Sequence, residues 1–322
     1  MNRLQLYNKP YVAPSQLVND YLINQKGLFI KDEDISFAEK ILSQINWYHL
    51  KIYFYPYLDR NSETEKYKEG TTFYHGWNNY LLDESLRTIL IKHTLNIELI
   101  VKSFLDQCIT EFCNDPFWYL NDDLFLKGEQ PYFERNQILD KIKRSDAEFA
   151  KHFRENYKSP LISYRLLPPF WIAMELISFD QLLKIIEKLN YQSFSKDGKN
   201  ALDMCSEKLN CNSFTELKNW LKIVKNIRNL ACHNNRIWNA KHMTPKGFES
   251  SLGLRGKVNY LNPKRIYLTI IVIFLLTKGR FNNGNNIKGD LINLIAGYKD
   301  QIDNLEKQMG FPENWDKENI WF

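Results

Sequence analysis

Between Phe73 and Cys113 apolar residues return every three or four positions: Leu81, Leu82, Leu86, Ile89, Leu90, Leu95, Ile97, Ile100, Val101, Phe104, Leu105 and Ile109. That is the period of an α-helix with one face in a core. No Pro or Gly interrupts it after Gly76, so the spacing predicts one long helix, or two joined at a kink. Shorter amphipathic stretches flank it. Ser15 can cap a helix carrying Leu17, Tyr21 and Leu22, with Gly27 placed to end it. Asp32, Glu33 and Asp34 suit the start of a second helix, with Ala38, Ile41, Leu42 and Ile45 on its apolar side. Downstream, 133–157 reads as one charged helix stopped at Ser159-Pro160. Pro168-Pro169 opens another through FWIAMELISFDQLLKIIEKL, and 291–309 is the last.

Ile266 to Leu276 is apolar throughout but falls short of the ~20 residues that a bilayer needs, so it reads as a buried core helix and no membrane contact is expected. Alternation with period two is thin. The pattern predicts an all-α fold, with a small N-terminal helical domain (1–70) ahead of a larger helical domain (71–322). The polar run NSETEKYKEG, 61–70, marks the boundary.

One amphipathic stretch differs from the rest. In Lys222 to Asn239, KIVKNIRNLACHNNRIWN, there is no acidic residue. Read as part of a helix over 214–239, it places Leu217, Leu221, Val224, Ile227 and Ala231 in a buried stripe. Asn229, His233 and Arg236 then share another face, with Arg228 at the edge between them. Thr215 is a candidate N-cap, weakened by Lys218 at the third position on. Arg228 and His233 are about 140° apart around the helix, so one helix does not put both on one spot. Long side chains could converge, or two copies could meet across a dimer.

Charge singles out the same region. Leu217 to Gly289 holds fourteen Lys/Arg and one acid, Glu249, a net +13 in a chain of +5 overall, which leaves −8 elsewhere. Such asymmetry fits a polyanionic partner, RNA or DNA. The plainer readings are a solvated surface, or a basic face docked on the acidic remainder. Five cysteines, with no CxxC pair, read as reduced thiols of a cytosolic protein. Cys232, beside His233, fits a small filler on the helix flank better than a nucleophile. His49, His75, His93, His152 and His242 are scattered, without the spacing of a metal site, and no Rossmann or P-loop glycine pattern occurs. Neither a metal nor a cofactor is expected.

The string Arg228-Asn229-Leu230-Ala231-Cys232-His233 resembles the R-x4-H motif, in its form R-N-x-x-x-H, of the HEPN superfamily of helical ribonucleases. The longer RNLACHNNRIWN resembles the Abi-like (AbiD/AbiF-type) family of bacterial abortive-infection proteins. The likeness extends over nearly the whole chain, through QKGLFIKDEDISFAEKILSQINWYHLKIYFYPY, YKEGTTF, LLDESLR, LPPFWIAMELISFDQL and GFPENW. Two positions depart from it: His49 stands where the family usually has Arg, and Asn234 where it often has a second His. The resemblance implies a HEPN-type bundle, usually a homodimer with facing motifs. It also implies a metal-independent endoribonuclease acting in phage defence, with regulation by partners such as a small structured RNA or a phage-derived trigger.

Cleavage of RNA without a metal needs the 2′-OH deprotonated, the phosphorane charge stabilised and the 5′-oxygen protonated. A histidine can serve as base or acid near neutrality, which suits His233. Arg228 offers a planar donor set to the non-bridging oxygens, and Asn229 can orient His233 or bond the phosphate. Lys222, Lys225, Arg236, Asn239, Lys241 and Lys257 are candidates to hold the RNA backbone. Glu175, expected to be buried or half-buried on its helix, is the candidate partner of Arg228 or Arg236, and Asn234 a supporting residue. Trp238 reads as core. The alternative function is a non-catalytic RNA-binding or sensing protein, or a toxin held in check by a partner, which the same charge would serve.

Overall fold

The computed structural model describes residues 10–61, 65–248, 258–280 and 286–322. Apart from one two-residue hairpin, the regular structure of these residues is helical. By their contacts they fall into two compact units: Met1–Ser85 with Leu294–Leu305, and Leu86–Asn293 with Glu306–Phe322. The division falls inside three helices rather than in the polar run 61–70.

In the first unit, α1 (Pro14–Gln16) runs into a π-helical stretch, Leu17–Gln25. Gly27, at φ +68°, ends it in a conformation that costs glycine nothing. Then come α2 (Asp32–Gln44) and the short α3 (Trp47–Leu50). Three acids fill the first turn of α2, where the helix dipole favours them. The core here is Val18, Leu22, Ala38, Leu42, Leu50, Tyr53 and Phe54. Gly76 has a specific reason to lack a side chain, because a Cβ there would collide with the Phe54 ring. His49 lies edge-on to Tyr80 at 6.1 Å between ring centres.

The long periodic stretch is a single helix, α4 (Phe73–Cys113), which belongs to the first unit up to Ser85 and to the second from Leu86. The second unit continues with α5 (Tyr132–Arg144), α6 (Glu148–Asn156), α7 (Phe170–Leu176), α8 (Phe179–Glu187), α9 (Ala201–Lys208), α10 (Phe214–Cys232) and α11 (Ile266–Thr277). It closes with α12 (Ile287–Tyr298), of which residues to Asn293 belong here, and α13 (Leu305–Met309), which belongs here from Glu306. α11 is buried over eleven of its twelve residues, as its unbroken apolar sequence requires, and α10 packs against α8, α9 and α11.

Three expected helices are broken in two, each at a polar residue able to cap. The 133–157 helix stops at Arg144, where Ser145 Oγ accepts from the Ala147 amide at 3.2 Å. Arg154 Nη1 then donates to the freed carbonyls of Ile142 and Ser145. The helix after Pro169 is interrupted by Ser178, which forms a capping box with Gln181 and starts α8. Lys141 and Lys102 donate to the Leu176 and Ile177 carbonyls left open there, both at 2.8 Å. The last helix separates into α12 and α13, with Asn304 in the left-handed region between them. The hairpin, Ser195–Lys196 with Lys199–Asn200, turns through Asp197 and Gly198 at φ +52° and +73°, the left-handed pair that an Asp-Gly turn provides. Among the described residues no helix is long and apolar enough to cross a membrane.

Candidate functional site

Ser213 starts α10: its hydroxyl accepts from the Glu216 amide at 3.2 Å, and Glu216 reaches back to accept from the Asn212 amide at 2.7 Å. The cap is thus Ser213 with Glu216 at the third helical position, and not Thr215. The apolar stripe is as the spacing required, with Leu217, Leu221, Val224, Ile227 and Ala231 all buried. Trp220 and Ile223 join it. Trp220 stacks on Phe248 and donates its indole N–H to the Lys246 carbonyl at 2.9 Å.

α10 ends earlier than the sequence suggested. His233 is its C-cap, and Asn234 follows at φ +55°. The Asn234 amide bonds Ala231 O at 3.2 Å and the Asn235 amide bonds Leu230 O at 2.9 Å, the two closing bonds of a Schellman motif. Asparagine is among the few residues that enter the left-handed region readily, and histidine shares that tolerance. Asn234 therefore has a structural role at the very position where the family often carries a second histidine.

The helix-face arrangement of Asn229, His233 and Arg236 does not survive this ending, since Arg236 and Asn239 lie beyond the helix. Asn239 is itself left-handed, at φ +50°, and its side chain donates to Gln308 Oε1 at 3.1 Å, which ties the loop to α13. Ile237 and Trp238 are fully buried and anchor the same loop, so Trp238 is core as expected. Arg236 is half buried, beside Arg265, whose Nη1 donates to the Ala240 carbonyl at 3.2 Å. Burial and then the Arg236 charge push Arg265 down from its ordinary pKa.

Arg228 pairs with Glu98 of α4 at 3.4 Å, not with Glu175. Glu98 also holds Lys102 at 3.1 Å, one turn along α4. The contact is made through Arg228 Nη2, and Arg228 Nε and Glu98 Oε2 are each buried without a hydrogen bond. Glu175 is exposed and lines a surface hollow with Asp140, Lys141 and Arg144. Its helix ends one residue later, so it projects from a terminus and not from a buried face. Lys222 lies 3.0 Å from Glu187 and Lys225 2.7 Å from Asp180, so acids of α8 already hold both lysines. Asn229, His233, Asn234 and Lys241 are exposed. Among the described residues the His233 imidazole has no hydrogen-bond or ionic partner; its amide bonds Asn229 O at 3.0 Å. Cys232 is exposed, not a filler. Lys257 lies outside the described residues.

Glu98 and Arg265 were not picked out in the sequence. Glu98 sits inside an apolar run, and nothing local distinguishes it from any charge on a helix surface. Arg265 offered only its place in the basic segment. No group of three or more His, Cys, Asp or Glu that could hold a metal occurs among the described residues.

These features define a class: an all-helical protein with a basic helix, its exposed end carrying an arginine and a histidine five residues apart. Residues 40–239, well over half the chain, match the family described as Abi-like protein, and the chain belongs to that family. The match runs from α2 to Asn239 and so includes all of α10 and the loop that closes it. No curated protein and no solved structure gives a significant match.

Proposed function

We propose that the chain is a metal-independent endoribonuclease of the HEPN type, acting in abortive infection against phage. The observation that carries the reading is the C-terminal end of α10. There a solvent-facing histidine without a partner stands five residues from an arginine whose Nε is buried and unbonded. His233 takes the proton of the attacking 2′-OH, and Arg228 meets the charge that grows on the phosphorane oxygens. Asn229, exposed one turn before His233, orients the imidazole or the phosphate. Arg236, Arg265 and Lys241 surround the loop beyond and hold the RNA backbone.

One histidine leaves the second proton transfer unassigned, and a homodimer supplies it from the facing copy. Support for a second subunit beside the site comes from Leu95 and Leu99, one helical turn apart on α4, exposed at 47% and 54% on either side of Glu98. Exposed leucines next to the residue that grips Arg228 suit a covered face. A small structured RNA or a phage-derived trigger would act by covering or releasing this face.

The test is incubation of the purified protein with a mixed RNA pool in EDTA. Single-stranded or loop regions should be cut to leave 2′,3′-cyclic phosphate ends, and DNA should survive because it lacks the attacking hydroxyl. Light scattering at micromolar protein should return a dimer. If wild type and His233→Ala both leave RNA intact yet arrest growth equally when expressed, the nuclease reading fails and non-catalytic RNA binding replaces it.

A further inference from the structure

Away from α10, a pair of thiols joins two helices. Cys108 lies in the last two turns of α4, half buried; Cys205 lies in α9, fully buried. Cys205 acts on the Cys108 thiol more strongly than any other group does. Cys205 Sγ also lies 3.7 Å from the carbonyl of Phe104, one turn before Cys108 on the same helix, so its thiol is seated directly against α4. A third cysteine, Cys211, is buried just beyond the end of α9.

The surroundings are electropositive. Lys208 acts on Cys108 and Cys205, and Glu111 opposes it at Cys108. The guanidinium of Arg280 lies 4.6 Å over the Phe104 ring, bonds the Lys208 carbonyl, and feels Cys205 and Cys211. The hydrogen bond from Cys205 is the main reason that the Cys108 thiol is brought down to about 7; burial and Glu111 work against it, and Lys208 with it. Cys205 moves the other way, because it gives that bond, is buried and sits beside the Cys108 charge. A partly exposed thiolate beside cations, backed by a second thiol, is the arrangement of an oxidisable cysteine and its resolving partner.

We infer that Cys108 and Cys205 form a modification site: a peroxide-reactive thiol and the thiol that resolves it into a disulfide between α4 and α9. The Cys108 thiolate attacks one oxygen of hydrogen peroxide. An S–O bond forms, the O–O bond breaks, and the departing hydroxide takes a proton to become water. Cys108 is now a sulfenic acid, oxidised by two electrons. Cys205 sulfur then attacks Cys108 sulfur: the S–S bond forms, the S–O bond breaks, and the hydroxyl leaves with the Cys205 proton as a second water. The net change is dithiol plus peroxide to disulfide plus two waters.

The tie would bear on α10. Asp203 of α9 accepts from the Phe214 amide, the first residue of α10, at 2.7 Å, while α4 holds Arg228 through Glu98. A covalent link between α4 and α9 thus closes a loop around the motif helix. The inference does not rest on the nuclease reading, because it is read out by mass alone.

The reduced full-length protein, treated with a slight excess of hydrogen peroxide, alkylated and digested without reductant, should yield a Cys108–Cys205 cross-linked peptide, lighter by two hydrogens than the separate pair. Cys205→Ser should instead leave a sulfenic acid at Cys108 that dimedone labels, and Cys205→Ala serves if serine unfolds the packed site. Cys108→Ser should abolish the cross-link. Cys232, exposed, is the internal comparator and should react more slowly than Cys108. If Cys205 stays free to alkylate after oxidation, if Cys205 pairs with Cys211 instead, or if Cys232 is oxidised first, the assignment is wrong.

Discussion

Along α10, Lys222 and Lys225 lie against Glu187 and Asp180 at 3.0 and 2.7 Å, whereas Asn229 and His233 stand in solvent near the end of the same helix. Both ends look alike in sequence: cationic or polar residues at helical spacing, with no acid between them. The acids come from α8, and only folding brings them in. The basic helix is therefore two regions. The first is pinned to a neighbouring helix by paired charge and to the loop residues Lys246 and Phe248 by Trp220. The second is held by a backbone cap and buried loop residues, which leave Asn229 and His233 facing solvent. A run of like charge identifies a surface; whether that charge is spent depends on elements far away in the chain.

The comparison breaks most visibly at Trp220. It is fully buried, stacked on Phe248 and bonded to the Lys246 carbonyl. Trp220→Ala should cost about 3–5 kcal/mol of stability, the range for emptying a buried aromatic site. Denaturant unfolding measures it, and a loss under about 1 kcal/mol would mean that this end is not the anchor. His233→Ala should do the opposite. Its side chain is exposed, so stability should stay within about 0.5 kcal/mol of wild type. RNA cleavage should fall by about 10²-fold or more, the scale of a removed acid–base group. Binding of an uncleavable RNA should be kept within a few-fold.

Asn234 sharpens the boundary between the two regions. With φ at +55° its left-handed backbone closes the Schellman motif. Asn234→Ala should cost about 1–2 kcal/mol, the penalty of that conformation for a residue with a Cβ and no polar rescue. Asn234→Gly should be neutral or better. Equal stability of all three would show that the helix does not depend on this ending. Because the loop beyond also positions Arg236, the alanine variant should lose some RNA cleavage as well.

Much of this was legible beforehand, and for a physical reason. The buried stripe of α10, the single long α4 and the core helix α11 follow from apolar period, which a sequence displays directly. The breaks at Ser145 and Ser178 were written in too, as short polar residues before an amide to cap, but an amphipathic period that resumes in phase hid them. The early end of α10 was harder. Asn234 and Asn235 permit a C-terminal cap without demanding one, and the buried side chains of Ile237 and Trp238 lie on the path that leaves the helix. Glu98 was out of reach, because its meeting with Arg228 is purely tertiary. The Glu175 pairing failed for the same reason: a carboxylate in an apolar stretch looked buried, but its helix stops beside it.

The smallest expected effect tests whether the first region really is pinned. Hydrogen bonds from Lys225 and Lys184 hold the Asp180 carboxyl below its ordinary pKa; burial opposes them, and the charges of the two lysines add a smaller push downward. A carboxylate depressed in the folded state contributes stability that is fully present above the unfolded value, about 3.9, and is lost as pH falls through the lower folded value. Asp180 is 43% exposed and Lys225 33%, so screening leaves little of the pair's Coulomb energy. A double-mutant cycle of Lys225→Met and Asp180→Asn should give a coupling of about 0.5 kcal/mol near neutral pH. The coupling should fade below about pH 3.9, and at neutral pH also in about 1 M salt, where the Debye length shrinks to about 3 Å. A coupling of the same size across that whole range would place the interaction in the packing of the lysine stem and not in its charge. Paired charge would then not be what sets the first region of α10 apart from the second.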